Sequence, residues 1–203
     1  MIILLQFGSM ARTREFDPAD VIEKAVLLFW EKGYADTSMD DLVKHTGISR
    51  YGIYGEFGNK REFFIKALQH FHQKFSQDLI QELGNPEAGL NELRAYYARL
   101  LAHAKTSEAH MGCFMCNTAV DLASSDAGIG EQLDAMFEGL RQVFVNALRN
   151  AQANGDLAET MDLDEYASYL LGVQMAMAMM VRSGFGEARM QPFLKVALAA
   201  IND

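Results

Sequence analysis

"TGISRYGIYGEFGNK", Thr46 to Lys60, sets four glycines among tyrosines, a phenylalanine and basic side chains within fifteen residues. A phosphate-cradling loop would need a glycine-rich turn after a buried strand, with the Walker lysine or the dinucleotide-binding spacing. Nothing upstream of Thr46 reads as a strand. The spacing instead predicts two short helices meeting at a glycine corner: one over 38–46, then Gly47-Ile48, then one over 49–57. Leu42, Ile48 and Ile53 supply the apolar positions that lock the pair, and Gly47 permits the left-handed backbone of a tight corner. Ser49 caps the second helix. That arrangement leaves Ser49, Arg50, Tyr51, Gly52 and Tyr54 facing outward, with Lys60 just beyond.

The flanking sequence extends the same pattern. Asp17-Pro18 opens a first helix with an oxygen cap and a proline at the first helical position. Val21, Ile22, Ala25, Leu28 and Phe29 recur on its inner face until Gly33. Thr37 and Ser38, each followed three residues later by an aspartate, open the second helix as a variant capping box. Asn59 opens a fourth helix carrying Phe63, Phe64, Ala67, Leu68, Phe71 and Phe75 on one face, which Gly84-Asn85-Pro86 ends. Further helices are predicted near 89–106, 112–124, 128–154, 164–183 and 188–201, separated by glycine or short polar clusters. The amphipathic pair 128–154 and 164–183, joined by a short loop, predicts antiparallel neighbours. The fold class is therefore all-α.

Composition agrees. Of 203 residues, half are hydrophobic, 22% are charged and three are proline, enough apolar content for a sizeable core in one or two domains. Two cysteines allow at most one disulfide, so the fold does not depend on cross-links and a reducing cytoplasm is expected. "MIILLQF" is too short for a membrane span, and Gly8-Ser9-Met10 reads as an expression-tag junction ahead of a natural initiator, so residues 1–9 carry no functional weight. Residues 1–73 hold nine Lys/Arg against ten Asp/Glu, whereas the other 130 hold nine against seventeen. The acidity lies in the C-terminal two-thirds, which argues against broad nucleic-acid binding but leaves a docking face in the near-neutral part.

The outward residue types suit a DNA major groove. Arg50 can bond a guanine edge in a bidentate manner, while serine and tyrosine hydroxyls and Lys60 suit phosphate oxygens. Gly52 and Gly55 each lower helix propensity by about 1 kcal/mol relative to alanine, which implies either close backbone approach to the duplex or a helix that settles fully only on DNA.

Ala25 to Phe64, "AVLLFWEKGYADTSMDDLVKHTGISRYGIYGEFGNKREFF", resembles the TetR family of bacterial transcriptional regulators. The matching features are Phe-x-x-x-Gly-Tyr at the end of helix one, Thr-Ser opening helix two, Gly-Ile-Ser into the recognition helix, then Ile-Tyr and Phe-Gly-Asn-Lys. The resemblance implies a three-helix helix-turn-helix domain over 10–62 and a helical ligand-binding and dimerisation domain over 63–203. It implies that Thr37, Tyr54 and Lys60 contact phosphates, with Ser38 beside them, and that Ser49 to Gly52 face bases. Gly55 and Glu56 depart from the family, which often has a histidine and an aromatic there.

A short recognition helix reads few base pairs, so a homodimer on a pseudo-palindromic, double-stranded operator is expected. The resemblance implies a four-helix bundle from the last two long helices, taken as 128–154 and 164–183, with Gly172, Met175, Ala176, Ala178 and Met179 offering small or adaptable surface. The middle helices should enclose a cavity for an unknown small-molecule effector. Tyr96, Tyr97, Leu100, His103, Cys113, Phe114, Asn117, Met136 and Phe137 combine apolar walls with hydrogen-bonding groups, as a pocket does and as a plain core also does.

"HMGCFMCNTAVDLA" places Cys113 and Cys116 as C-x-x-C at a helix start, where the dipole lowers a thiol pKa and a disulfide is conceivable. The stretch resembles a family subgroup with Gly-Cys here, some members of which sense oxidants or electrophiles; two buried hydrophobic cysteines are the other reading. No metal site is expected, with only His103 and His110 near in sequence, and no cofactor. An enzyme built on Cys113 with His103 or His110 lacks any nucleophile elbow or metal motif. A helical ligand-binding protein with a vestigial DNA motif is the third class, distinguished by salt-insensitive behaviour.

Overall fold

A computed structural model describes residues 16–106 and 109–201; the expected tag segment, 1–9, lies outside them. In order, the helices are α1 (Pro18–Lys32), α2 (Met39–Thr46), α3 (Arg50–Phe57), α4 (Lys60–Phe75), α5 (Leu90–His103), α6 (Phe114–Leu122), α7 (Ala127–Ala153), α8 (Leu163–Arg182) and α9 (Glu187–Ala197). Short 3-10 turns occupy Ala109–Met111 and Ala199–Ile201.

Local chemistry sets the helix starts. The Asp17 carboxylate accepts the Ala19 N–H at 2.9 Å. Ser38 and Asp41 form a reciprocal capping box at α2. Ser49 accepts the Gly52 N–H at 3.1 Å, and Asn59 and Glu62 cap α4 by bonding each other's backbone N–H. Gly47 ends α2 at φ 79°, the left-handed conformation the corner requires.

Two departures from the predicted helices have physical causes. The fourth helix does not continue regularly to Gly84 but widens into a π-turn over Ser76–Ile80. Upstream, Phe63, Phe64, Ala67 and Leu68 bury in an N-terminal core, whereas Ile80 and Leu83 bury in a C-terminal one. The wider winding turns the apolar face from one to the other. The helix predicted from 112 starts at Phe114 because Gly112 sits at φ 69° and Cys113 is an extended cap residue.

The N-terminal core joins α1–α4 to α6 and the first half of α7 through Phe29, Leu42, Ile53, Phe63, Phe64, Phe114, Ile129 and Leu133. Edge-to-face rings run through it, Phe29 to Phe64 at 5.0 Å and Phe64 to Phe114 at 5.5 Å. The C-terminal core gathers α5, the second half of α7, α8 and α9 around Tyr96, Tyr97, Phe144, Leu170 and Met190. At 27 residues α7 is about 40 Å long and spans both. The expected division between residues 62 and 63 falls within α4.

The outer face of α7 carries Glu131, Asp134, Glu138, Gln142 and Arg149 beside Ala135 and Gly139. Tyr169, Gly172 and Met179 of α8 and Phe193 and Val196 of α9 are also exposed. An exposed apolar stripe thus lies on α8 and α9. Among the described residues no helix is long and apolar enough to cross a membrane.

Candidate nucleic-acid interface and its adjoining cavity

Leu42 and Ile53, both at 0% exposure, and Ile48 lock α2 against α3. The Thr46 hydroxyl donates to the Leu42 carbonyl at 2.6 Å, so the corner carries no unpaired buried hydroxyl. This places Ser49, Arg50, Tyr51, Tyr54 and Gly55 on the solvent face, with Tyr51 81% and Tyr54 50% exposed. A Cβ on Gly55 would meet nothing within 4 Å. The protein interior therefore does not require glycine there.

Arg50 does not stand free. Its Nη2 lies 2.5 Å from the Asp40 carboxylate of α2, which raises the guanidinium pKa further. Lys60 places Nζ 4.4 Å from the Tyr34 ring centre and 3.5 Å from the Ala35 carbonyl, at the α1–α2 turn. The Ser38 hydroxyl donates to Asp41 at 2.7 Å, and this bond, the Ser38 N–H and Lys32 hold the Asp41 carboxyl well below its ordinary pKa.

Thr37, expected at a phosphate, has its side chain wholly buried, and its hydroxyl donates to the Gly33 carbonyl at 2.7 Å, closing the α1–α2 corner. Asp40, which residue spacing alone does not bring to Arg50, was missed because the pairing depends on how α2 crosses α3.

Directly behind this unit lies a cavity of about 400 Å³. Its walls come from both halves of the chain: Val26, Leu27 and Trp30 of α1 and Phe71 and Phe75 of α4 face Leu100 and His103 of α5, Cys113, and Gln174 and Met177 of α8. Of the nine residues expected to contact a ligand, Leu100, His103 and Cys113 line this cavity. The other six do not. Tyr96 and Tyr97 are buried against Phe144, with the Tyr97 hydroxyl donating to the Leu170 carbonyl at 2.7 Å. Phe114 packs among Phe64 and Phe71, and Met136 and Phe137 pack into the N-terminal core from α7. Asn117 donates to the Met111 carbonyl at 2.8 Å. Each satisfies a core or a loop, which is why amphipathic pattern alone did not separate them from cavity walls. The α1 contribution was missed; the signal was Trp30, a large ring just off the Val21–Ala25–Leu28 face.

The Met111 carbonyl gathers three donors: Trp30 Nε1 at 3.0 Å, Asn117 Nδ2 at 2.8 Å and Arg182 Nη1 at 3.0 Å. A single peptide oxygen thereby joins α1, α6 and α8. A Cβ on the adjacent Gly112 would approach Arg182 Cβ to 3.0 Å and the Ala178 carbonyl to 3.2 Å, so this loop sits directly on α8. A second link is Arg61, whose Nε and Nη2 lie 2.6 and 2.7 Å from the two oxygens of Asp126. That carboxylate also caps α7, and the guanidinium lowers its pKa to about 2.

Both cysteines are free. Cys113 is half-buried at the start of α6; bonds from the Cys116 thiol and from the Cys116 and Met115 N–H groups pull its pKa down. Donating to that sulfur, together with burial, pushes Cys116 far up. The thiol with the lowered pKa is the one that lines the cavity. Among the described residues no three His, Cys, Asp or Glu side chains group so as to hold a metal ion.

Comparison with known proteins follows this geometry. Residues 21–67 match the description "Bacterial regulatory proteins, tetR family", and residues 89–194 match "Tetracyclin repressor-like, C-terminal domain". The chain is 25% identical to the HTH-type transcriptional regulator YezE of Bacillus subtilis, over 95% of its own length and 100% of that protein's. It is 28% identical to the HTH-type transcriptional repressor ComR of Escherichia coli, over 93% and 89%. Its fold is similar to that of the TetR family regulator CifR, solved with 26-base-pair operator DNA, with a TM-score of 0.83, 23% identity and coverage of 93% and 99%. The two matched segments meet the two halves of the structure, the α2–α3 corner and the helices that close the cavity: the chain belongs to the TetR family of DNA-binding transcriptional regulators, a family that is not enzymatic.

Proposed function

We propose that this regulator is a cytoplasmic repressor that binds a pseudo-palindromic operator as a homodimer and is released when a small molecule fills the cavity behind α1 and α4. The observation that carries the reading is the shared wall: α1 and α4 carry the DNA-reading unit, and they also form one side of the cavity. A ligand that prefers a different spacing of that wall weakens DNA binding by its differential affinity for the two conformers. ComR of Escherichia coli and DhaR of Mycobacterium are named repressors, which supports that direction of control.

On DNA, Ser49, Arg50, Tyr51 and Gly52 face base edges, and Tyr54 and Lys60 reach phosphates with Ser38 beside them. The α8 and α9 stripe with Tyr169, Met179, Phe193 and Val196 forms the dimer bundle. A gel shift on DNA flanking the protein's own gene tests the reading. Affinity should fall steeply between 50 and 200 mM salt, as for any contact that releases phosphate counterions; a flat salt dependence or no shifted fragment sinks it.

Cysteine modification is a second route to release, favoured by the lowered Cys113 pKa at the cavity wall. Cys113→Ser should keep operator binding and lose the response to a thiol-alkylating agent. An unchanged response removes this route.

A further inference from the structure

The cavity's polar groups say what kind of molecule fits it. Gln174 is 2% exposed, lines the cavity, and its Oε1 has no hydrogen-bond partner. An unpaired buried acceptor is costly, so it favours a ligand that donates to it. Among the described residues, the ionisable groups on the wall besides the Cys113 thiol are two carboxylates, Glu23 and Asp78, one lysine and the imidazoles of His70 and His103, and His70 Nε2 faces Glu23 Oε1 at 3.8 Å. The lysine, Lys74, is already engaged, with Nζ 2.9 Å from Glu23 Oε1. The apolar wall is aromatic and sulfur-rich: Trp30 meets Phe71 edge-on at 5.0 Å, Phe71 stacks on Phe75 at 6.3 Å, and Met177 and Met190 lie across from them. A carboxylate entering here loses its water, meets an acceptor oxygen, and finds Lys74 and His70 already turned to Glu23. An amine meets an acceptor, ring faces that attract cations, and two carboxylates on the wall.

We infer that the cavity takes an aromatic amine that donates N–H to Gln174 Oε1, and that it rejects aromatic carboxylates of the same shape. This rests on the cavity being the effector site and names the chemistry of its occupant.

The test uses three probes on one body: naphthylmethylamine, naphthylmethanol and naphthylacetate, titrated into the full-length protein by calorimetry. The amine should bind most tightly and the carboxylate at least roughly tenfold more weakly, the size of one buried hydrogen bond. Gln174→Met, close in volume, should weaken the amine by roughly tenfold, whereas Gln174→Glu, which presents only acceptor oxygens, should keep or tighten it. A thermal melt of each variant shows that it is folded. Equal affinity for amine and carboxylate, no binding by any probe, or an amine affinity unmoved in folded Gln174→Met overturns the inference. Tight amine binding that leaves the operator complex intact upholds the ligand class and overturns the effector reading instead.

Discussion

Trp30 Nε1 donates to the Met111 carbonyl at 3.0 Å across 81 residues of chain, tying the first helix of the DNA-binding unit to the loop that ends in Gly112-Cys113. Because Trp30 also lines the cavity, this bond joins the cavity wall, the loop and α1. Trp30→Phe keeps a ring and removes the donor, leaving Asn117 and Arg182 on the carbonyl. Urea unfolding should show a loss of about 0.5–1.5 kcal/mol, operator affinity should stay within a small factor, and release by a cavity ligand should weaken. Full release in the variant would show that α1 is not the route.

Arg61 and Asp126 give the second link a pH signature. Asp126 has its pKa lowered to about 2 by the Arg61 guanidinium, below its ordinary 3.8. A folded-state pKa below the unfolded one means stability that is present above pH 4 and lost as pH falls towards 2. Asp126→Asn removes the charge while asparagine still caps α7. The stability gap between wild type and variant should therefore close as pH is lowered from 5 to 2; a constant gap would mean the ion pair adds nothing beyond the cap.

Gly55 offers a separation of stability from function. With open space where a Cβ would stand, Gly55→Ala should raise stability by up to about 1 kcal/mol through helix propensity. If the α3 backbone approaches the duplex closely, the same methyl weakens operator binding. A melt and a gel shift on one preparation measure both, and unchanged affinity would rule out close approach at this residue.

Arg50 is held by Asp40 at 2.5 Å in the free protein. Arg50→Ala should cost about 1–3 kcal/mol of operator binding and relax preference at one base pair, as selection from a random DNA pool would show. Asp40→Asn removes an exposed negative charge beside the reading helix, so nonspecific DNA binding at low salt should rise. Loss of affinity without any change in base preference for Arg50→Ala would place the side chain on the phosphate backbone instead.

Val196 is 76% exposed on α9. Val196→Asp should leave the subunit folded by circular dichroism, yield monomers in sedimentation, and abolish tight operator binding, since one short helix reads too few base pairs. Dimers that persist would move the interface away from α9.

The DNA-reading unit was legible in the chain because its determinants are local. Caps at Asp17, Ser38, Ser49 and Asn59 act within three residues of themselves, Gly47 acts on its own backbone, and Leu42, Ile48 and Ile53 meet across a corner of two residues. The six misplaced cavity residues show where that reasoning stops. Tyr97 and Phe144 make a core, and Leu100 and Gln174 make a cavity, from the same kinds of apolar and polar residues at the same helical spacing. Periodicity says only that a side chain points inward, not what it meets there. Burial of Thr37, the Asp40 partner of Arg50, the three donors on Met111 and the wall shared by α1 and α8 all depend on how helices distant in sequence cross. Sequence alone determined which helices form and which short helix is held outward, because short-range hydrogen bonds and apolar spacing suffice for that. The tertiary structure decided where the empty space lies and which groups border it, because packing between segments up to 167 residues apart, Glu23 to Met190, is a property of the assembled chain.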